Sequence, residues 1–580
     1  MRIQQTGAAE FSLPALVALA CGALAQHAAA DDANAAVLQQ WSQQTGQSAA
    51  VVTGGEGGAQ LEWHGTATLD VYGNSVSGAG GNALTPLRSG SFDRLTVGGD
   101  LRSVGADGDT RYVQVVGMQS NDRSVLSRYT PQVQSFQAGL AGQRYLVSAG
   151  DVVASFSSLG ASIGLRGFTG TQQIDRLALT GFAGTVADSW ESLSNARTRN
   201  GTPARFTYLR DVYGVKAGFQ ATPEWQLFST LQSRRDRQGS IQPGTGAALG
   251  DAAGATSATF GARYQTQWAA DTTLAASAEW GRSREDNLRT GASAMDNAVL
   301  IDANARIGAL GLRGGFHQLD PRWASLGQAV PGGVRESYAG ADWQISPEWQ
   351  AGVDLRDAVN QPVFAGLVMP RQALDMLSTR LSWSPSSWPG WSLSWMDTRS
   401  RTTDATGARA DNESWQLTAS RWVAPWSASL TAGRSQLRAG GAQAVGDSRS
   451  TLWMGSLGRS WDNATAEQPA SFTFHLQATL GTQNLLMAQL ASNRARTAGL
   501  SATFSGTAWG QLGTNVQWQA IDPGSAGARL YTRQWTLDYT RQFSAQWSAK
   551  AYWRDVQYNK GSVLAFQRER VLGLQVNYLW

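Results

Sequence analysis

The chain ends Leu572-Gly573-Leu574-Gln575-Val576-Asn577-Tyr578-Leu579-Trp580, and this stretch decides the fold. Its even positions, Leu572, Leu574, Val576, Tyr578 and Trp580, are all apolar or aromatic, while Gly573, Gln575, Asn577 and Leu579 fill the odd ones. A period of two sends alternate side chains to opposite faces of an extended chain, so the segment reads as a strand with one continuous apolar face. The same pattern recurs further back. From Tyr531 to Phe543 the odd positions are Tyr531, Arg533, Trp535, Leu537, Tyr539, Arg541 and Phe543, against Thr532, Gln534, Thr536, Asp538, Thr540 and Gln542. Phe472, Phe474, Leu476, Ala478 and Leu480 alternate with Thr473, His475, Gln477 and Thr479, and Phe260, Ala262, Tyr264 and Trp268 face away from Thr259, Arg263, Gln265 and Gln267.

Alternation alone does not separate a soluble sandwich from a membrane barrel; length and connections do. The segments run about 10 to 14 residues, beyond the usual five or six of a soluble strand and matching tilted membrane-spanning strands. Short connections fall near Thr222-Pro223, Ala269-Ala270, Ser346-Pro347, Ala424-Pro425 and Ser544-Ala545. Long ones rich in Gly, Ser, Asp and Arg fall at Asp236 to Ala255, Arg284 to Asp296, Leu319 to Gly333, Asp357 to Gln372, Arg399 to Asp411 and Arg438 to Gly446. Short periplasmic turns alternating with long external loops are the asymmetry of outer-membrane barrels. Trp225, Trp268, Trp343, Trp349, Trp422, Trp426 and Trp547 gather beside the short connections, with Trp388 and Trp391 next to a Pro-rich one. An indole suits a membrane interface, its ring in lipid and its N-H in water.

Composition agrees. The chain has 580 residues with 65 Gly and 24 Trp, and only 16% are charged, a profile that excludes disorder and, lacking Gly at every third position, collagen. Beyond the N-terminus no stretch reaches the roughly 18 to 20 apolar residues of a spanning helix. Basic and acidic residues number 47 and 43, and Lys occurs only at Lys216, Lys550 and Lys560, so nucleic acid is not an expected partner. The fold expected is all-β: one large antiparallel up-and-down transmembrane barrel of about 26 strands, within 24 to 26.

Residues 1–30 read as a signal peptide, with Arg2, an apolar run from Phe11 to Leu24 and a small-residue cleavage site at Ala28-Ala29-Ala30. Cleavage there removes the single cysteine, Cys21. Residues 31–60 read as a short periplasmic leader in which Asp32 is placed to cap a helix carrying Val37, Leu38 and Trp41 and stopped by Gly46, a segment suited either to docking in the lumen mouth or to a periplasmic export partner. The barrel is expected over 61–580, both termini periplasmic.

Leu574, Val576, Tyr578 and Trp580 resemble the C-terminal β-signal of Gram-negative outer-membrane proteins. That resemblance implies an assembly signal read by the barrel-assembly machinery, a location in the Gram-negative outer membrane and contact with outer-membrane lipid. A shorter segment, Gly150-Asp151, Leu159 and Arg166-Gly167, is similar to a Gly-Asp to Arg-Gly stretch in the barrels of fimbrial ushers, without the cysteines and the separate plug and periplasmic domains of those proteins.

Gly160-Ala161-Ser162-Ile163-Gly164 matches the nucleophile-elbow pattern, but no helix follows it and matches are frequent in a chain this rich in Gly and Ser. His64, His317 and His475 lie far apart, and no Asp/His or Ser/His arrangement is visible. No Cys/His cluster supports zinc and no regular acidic loop supports calcium, so neither cofactor nor metal nor catalysis is expected. The leader is too short to plug so wide a barrel, which leaves a channel narrowed by its own loops or passing a large substrate. The reading favoured is the outer-membrane conduit of an export pathway for a polymer, polysaccharide or protein. The alternative is a porin for small hydrophilic solutes, with a barrel enzyme or structural barrel as a further one. Arg166, Arg263, Glu279, Asp342, Asp354, Arg356, Asp538, Lys550 and Arg554 are the lumen-lining candidates. A polymer conduit should carry stacked aromatics and mixed polar groups along its lumen, a diffusion porin opposed charge rows at a constriction, and the candidates, of both signs, do not decide between them.

Overall fold

The computed structural model describes residues 60–580 except 79–87, 106, 123–130, 188–189, 191–192, 194–207, 241–251, 325, 327–331, 362, 365–366, 441–446, 464–471, 488–489, 523–528 and 560–565. The proposed signal peptide and leader helix lie outside the described residues. Strands are numbered β1 to β28 in chain order, and 26 of them form a single sheet. Each pairs antiparallel with the wall strands before and after it in the chain, and the sheet closes where β1 (Gln60–Ser77) pairs with β28 (Gln567–Leu579) as well as β2 (Gly90–Val104). Closure leaves no sheet edge, the condition for β-structure within a bilayer. The remaining two strands, β16 (Val363–Phe364) and β17 (Leu367–Val368), make a small separate hairpin.

Wall strands run from 10 residues, as in Gln132–Ala141, to 18 in β1. One parity of each presents apolar side chains to the outside: Leu61, Trp63, Leu69 and Val71 on β1 are exposed, while Asp70 and Asn74 point in and are buried. Leu572 and Leu574 take the outward parity of β28, as the terminal dyad predicts. The indoles gather at one end. Trp63, Trp225, Trp268, Trp343, Trp349, Trp426 and Trp547 are exposed beside the short turns, and rings meet at 5.6 Å for Trp349 and Trp383 and 4.4 Å for Trp547 and Tyr578.

The connections depart from expectation in an instructive way. Arg284 to Asp296 is not a long loop: β11 (Thr272–Asn287) and β12 (Ser293–Ile307) run through it and leave only 288–292 between them. Arg399 to Asp411 likewise falls in β19 (Trp391–Asp404) and β20 (Arg409–Val423), joined by 405–408. The asymmetry also breaks at β23 (Phe472–Met487), preceded at the short-turn end by 463–471 and joined to β24 (Leu490–Gly506) at the opposite end by 488–489.

The apolar core lies on the inner wall. Residues 156–161, between β5 (Tyr145–Ser155) and β6 (Ser162–Ile174), fold into the barrel. There Phe156, fully buried, packs with Val152, Leu165, Phe182, Val212 and Leu326. Leu159 packs with Ala298, Leu300, Leu319 and Trp323. Trp323 and Leu326 come from the connection between β13 (Leu310–Leu319) and β14 (Val334–Gln344), so two loops meet inside.

Candidate functional site: the barrel interior

Alternation fixes what the lumen sees. From β19 through β20, β21 (Trp426–Gly440), β22 (Ser448–Asp462), β23, β24, β25 (Gly510–Asp522) and β26 (Leu530–Gln542), the inward positions of all eight strands hold no Arg and no Lys among the described residues. Register aligns them as rows of hydroxyls and amides, such as Gln477, Ser501, Asn515 and Thr536 on successive strands. Thr418 and Thr431 hydrogen-bond at 3.1 Å, and Ser429 and Ser456 at 2.7 Å. Asp404, Asp462, His475 and Asp538 are the ionisable groups of this arc, and its aromatic residue, Trp422, stands beside a turn. Buried in lipid these rows would be prohibitively costly, so they face water.

The opposite wall is charged, and its charges neutralise one another. Arg313 on β13 meets Asp342 on β14 at 2.8 Å and also Asp354 on β15 (Trp349–Asn360). Arg380 on β18 (Gln372–Trp383) meets Asp354 at 3.1 Å and pairs with Asp342 as well. The four brace four consecutive strands. Above them Arg356 pairs with Glu336 at 2.8 Å, and on β27 (Trp547–Tyr558) Arg554 lies 3.5 Å from Glu569. Asp70 at the seam accepts from Arg94 and from the Tyr552 hydroxyl, each at 2.9 Å.

Of the nine lumen candidates, eight stand at inward positions: Arg263, Glu279, Asp342, Asp354, Arg356, Asp538, Lys550 and Arg554. Arg166 does not. It shares the outward parity of β6 with exposed Phe168, while Leu165 points in, and its guanidinium pairs with Asp151 at 3.3 Å beneath Trp190. The usher-like segment thus forms an ion pair on the outer side of the wall. Gly150 beside it has φ +108°, and a Cβ there would lie 2.1 Å from the Phe136 carbonyl oxygen, so the backbone approach needs glycine.

Glu279 holds the inward loop. Its carboxylate, nearly buried on β11, accepts from Ser157 Oγ at 2.5 Å and from the Leu159 N-H at 3.1 Å. Lys216 Nζ donates to the Phe156 carbonyl, and the Ser162 N-H donates to the Leu326 carbonyl at 2.7 Å, tying the two inward loops together. Lys216 and Arg263 lie over the ring of Phe228, at 5.9 and 5.2 Å. Sequence reasoning named Glu279 and Arg263 by parity but missed Ser157, Leu159 and Lys216, whose partners are remote in the chain.

Two histidine arrangements absent from the sequence reading emerge from register. His317 Nε2 lies 2.7 Å from Asp302, which also accepts from the Tyr338 hydroxyl at 2.5 Å, and His475 Nδ1 lies 2.9 Å from Ser460 Oγ. Both are cross-strand braces on the inner wall. Ser162 begins a strand, not a helix, so the nucleophile-elbow context is missing. Among the described residues no three His, Cys, Asp or Glu are placed to hold a metal.

A closed antiparallel wall with an apolar exterior, an indole girdle and a polar interior defines the class: the chain is an outer-membrane β-barrel. No family model and no curated protein matches it. Among solved structures it is similar to the siderophore receptor PirA from Pseudomonas aeruginosa, at 9% identity and TM-score 0.38 over 89% of this chain and 80% of that one. It is also similar to OpdO from Pseudomonas aeruginosa, at 11% and 0.26 over 90% and 96%, and to a BenF-like porin from Pseudomonas fluorescens, at 12% and 0.31 over 62% and 97%.

Proposed function

We propose that this barrel is a porin through which small hydrophilic solutes, uncharged ones included, diffuse across the outer membrane. This is the alternative of the sequence reading rather than the polymer conduit it favoured. The observation that carries it is the arc from β19 to β26, whose inward side offers hydroxyls and amides without Arg, Lys or stacked aromatics among the described residues. Hydroxyls and amides exchange hydrogen bonds with solute and water at similar energy, so a solute leaves as readily as it enters. A polymer conduit calls for aromatic platforms, and here the ring stacks of Trp349 with Trp383 and Trp547 with Tyr578 belong to the outer side. In this reading both termini and the indole girdle are periplasmic, and the barrel-assembly machinery reads Leu574, Val576, Tyr578 and Trp580.

Swelling of proteoliposomes tests it: uncharged mono- and disaccharides should enter, with rates that fall as solute size rises. Absence of swelling for every solute contradicts it. The export reading keeps one supporting observation, the loop latched by Glu279. It predicts liposomes closed to disaccharides in the wild type and opened by removal of residues 157–160.

A further inference from the structure

One ladder of the closed sheet is short. Between β4 (Gln132–Ala141) and β5 the register runs only from Gln137 with Gly150 to Ala141 with Leu146, five pairs, where no other wall ladder has fewer than nine. Beyond the Gln137–Gly150 rung, β4 goes on pairing with β3 (Thr110–Ser120) as far as Gln132, and β5 with β6 as far as Ser155. Residues 132–136 and 151–155 are therefore the arms of a fork that opens away from the short turn at 142–144. The fork starts five residues along β4 from Ala141. On a strand tilted ~40° that is a rise of about 13 Å, and the arms rise about as far again, so the fork crosses the half of an apolar band ~25 Å tall that lies away from the indole girdle.

One carboxylate holds the base of the fork. Asp151 accepts from the Phe136 N-H at 2.8 Å, in place of the next strand-to-strand rung, and from Trp190 Nε1 at 2.7 Å, and it pairs with Arg166 at 3.3 Å. Charge at this depth is costly and marks a functional place. The margins are otherwise apolar. Val133, Phe136 and Val153 take the outward parity, while Val152 and Ala154 face inward and pack with Phe156, Leu165 and Phe182. Apolar surface thus lies on both sides of the wall where its ladder is shortest.

The geometry points to a lateral portal: a single-chain amphiphile passes its hydrocarbon chain through the fork, between the lumen and the leaflet opposite the indole girdle, and Asp151 is the latch. This goes beyond diffusion of hydrophilic solutes along the barrel axis, and it rests on the outer-membrane reading. Parting any other pair of wall strands breaks nine or more residues of ladder, whereas parting these arms breaks the contacts of one carboxylate. A single chain suits the fork because neighbouring strands lie about 4.8 Å apart, close to the width of one extended hydrocarbon chain, so a small further spread admits one chain and excludes a pair.

The test places the photoreactive residue p-benzoylphenylalanine at Ser135, on the inward margin of the fork, or at Gln517, inward on the intact ladder of β25 with β26. The full barrel is reconstituted in phosphatidylcholine liposomes with radiolabelled lysophosphatidylcholine, and the rate of capture under illumination is measured. Capture should be clear at Ser135 and at background at Gln517. Asp151→Ala should speed it about tenfold, the worth of one charge-assisted hydrogen bond. Val133→Cys with Val153→Cys, bridged by a bis-maleimide, should bring it to background while monosaccharide swelling stays unchanged. Equal capture at the two positions, or capture indifferent to Asp151→Ala and to the bridge, overturns the portal. Equal capture of radiolabelled two-chain phosphatidylcholine overturns the single-chain assignment. Heat modifiability shows that each variant is folded, and if the bridged one is not, Asp151→Ala decides. Swelling without capture removes the portal and leaves the porin; capture without swelling removes the porin and leaves the portal.

Discussion

Trp580 closes the barrel with its backbone and its ring. Its N-H and carbonyl exchange hydrogen bonds with Gly65 at 3.0 and 2.9 Å, and its indole crosses the place where a Gly65 Cβ would stand, 2.0 Å from Cε2. Gly65→Leu should therefore push the indole off the seam, and loss of Trp580 should remove the last rung; both should lower heat-modifiable barrel recovered from membranes, and unchanged yield would count against the role of this seam. Leu430 lies four residues from Trp426, near mid-bilayer, and is 53% exposed on the outer side. Leu430→Arg should cost ~2 to 4 kcal/mol in a urea titration of the folded barrel, the cost of a cation at the midplane, whereas Leu430→Phe should be close to neutral. Glu279→Ala should remove the carboxylate that accepts from Ser157 Oγ and the Leu159 N-H, weakening the docked loop by about 1 to 3 kcal/mol. Single-channel records should then show larger or noisier conductance, and identical records would mean that the loop does not narrow the path.

At the scale of elements, a described connection that folds inward is the short one at 156–161, while residues 241–251 of Asp236 to Ala255 lie outside the described structure. Replacing residues 157–160 by two glycines should raise conductance. Strands were legible wherever one side met lipid and the other water: Tyr531 to Phe543 reads as a strand and forms β26. Legibility failed above the lipid. There both sides of a strand are wet, alternation lapses, and Arg284 to Asp296 or Arg399 to Asp411 looks like loop although the ladders continue. It failed again for Arg166, because its outward parity follows from the register of β5 with β6, and for Ser157 with Glu279, which meet across 122 residues of chain. Orientation has its own test. An epitope inserted between Gly244 and Gly250 should be labelled on intact cells and one at Ala269-Ala270 should not; the reverse would invert the topology.

The whole molecule is a hydrogen-bonded cylinder that divides its residues by side: apolar and aromatic groups outside, hydroxyls and amides over one inner arc, and self-neutralised ion pairs over the other. Because Arg313, Asp342, Asp354 and Arg380 cancel, and the inward positions of the arc from β19 to β26 hold Asp404, Asp462 and Asp538 but no Arg or Lys among the described residues, the path should favour cations weakly. A salt gradient across the channel should accordingly give a small reversal potential, which a charge introduced by Gln517→Lys should shift towards anion preference. The most direct measurement is the current through purified protein in a planar lipid bilayer. A water-filled lumen predicts stepwise insertions, each adding a steady ohmic conductance in the wild type. A bilayer that stays silent with heat-modifiable, folded protein present, and stays silent when residues 157–160 are removed, would contradict the channel itself.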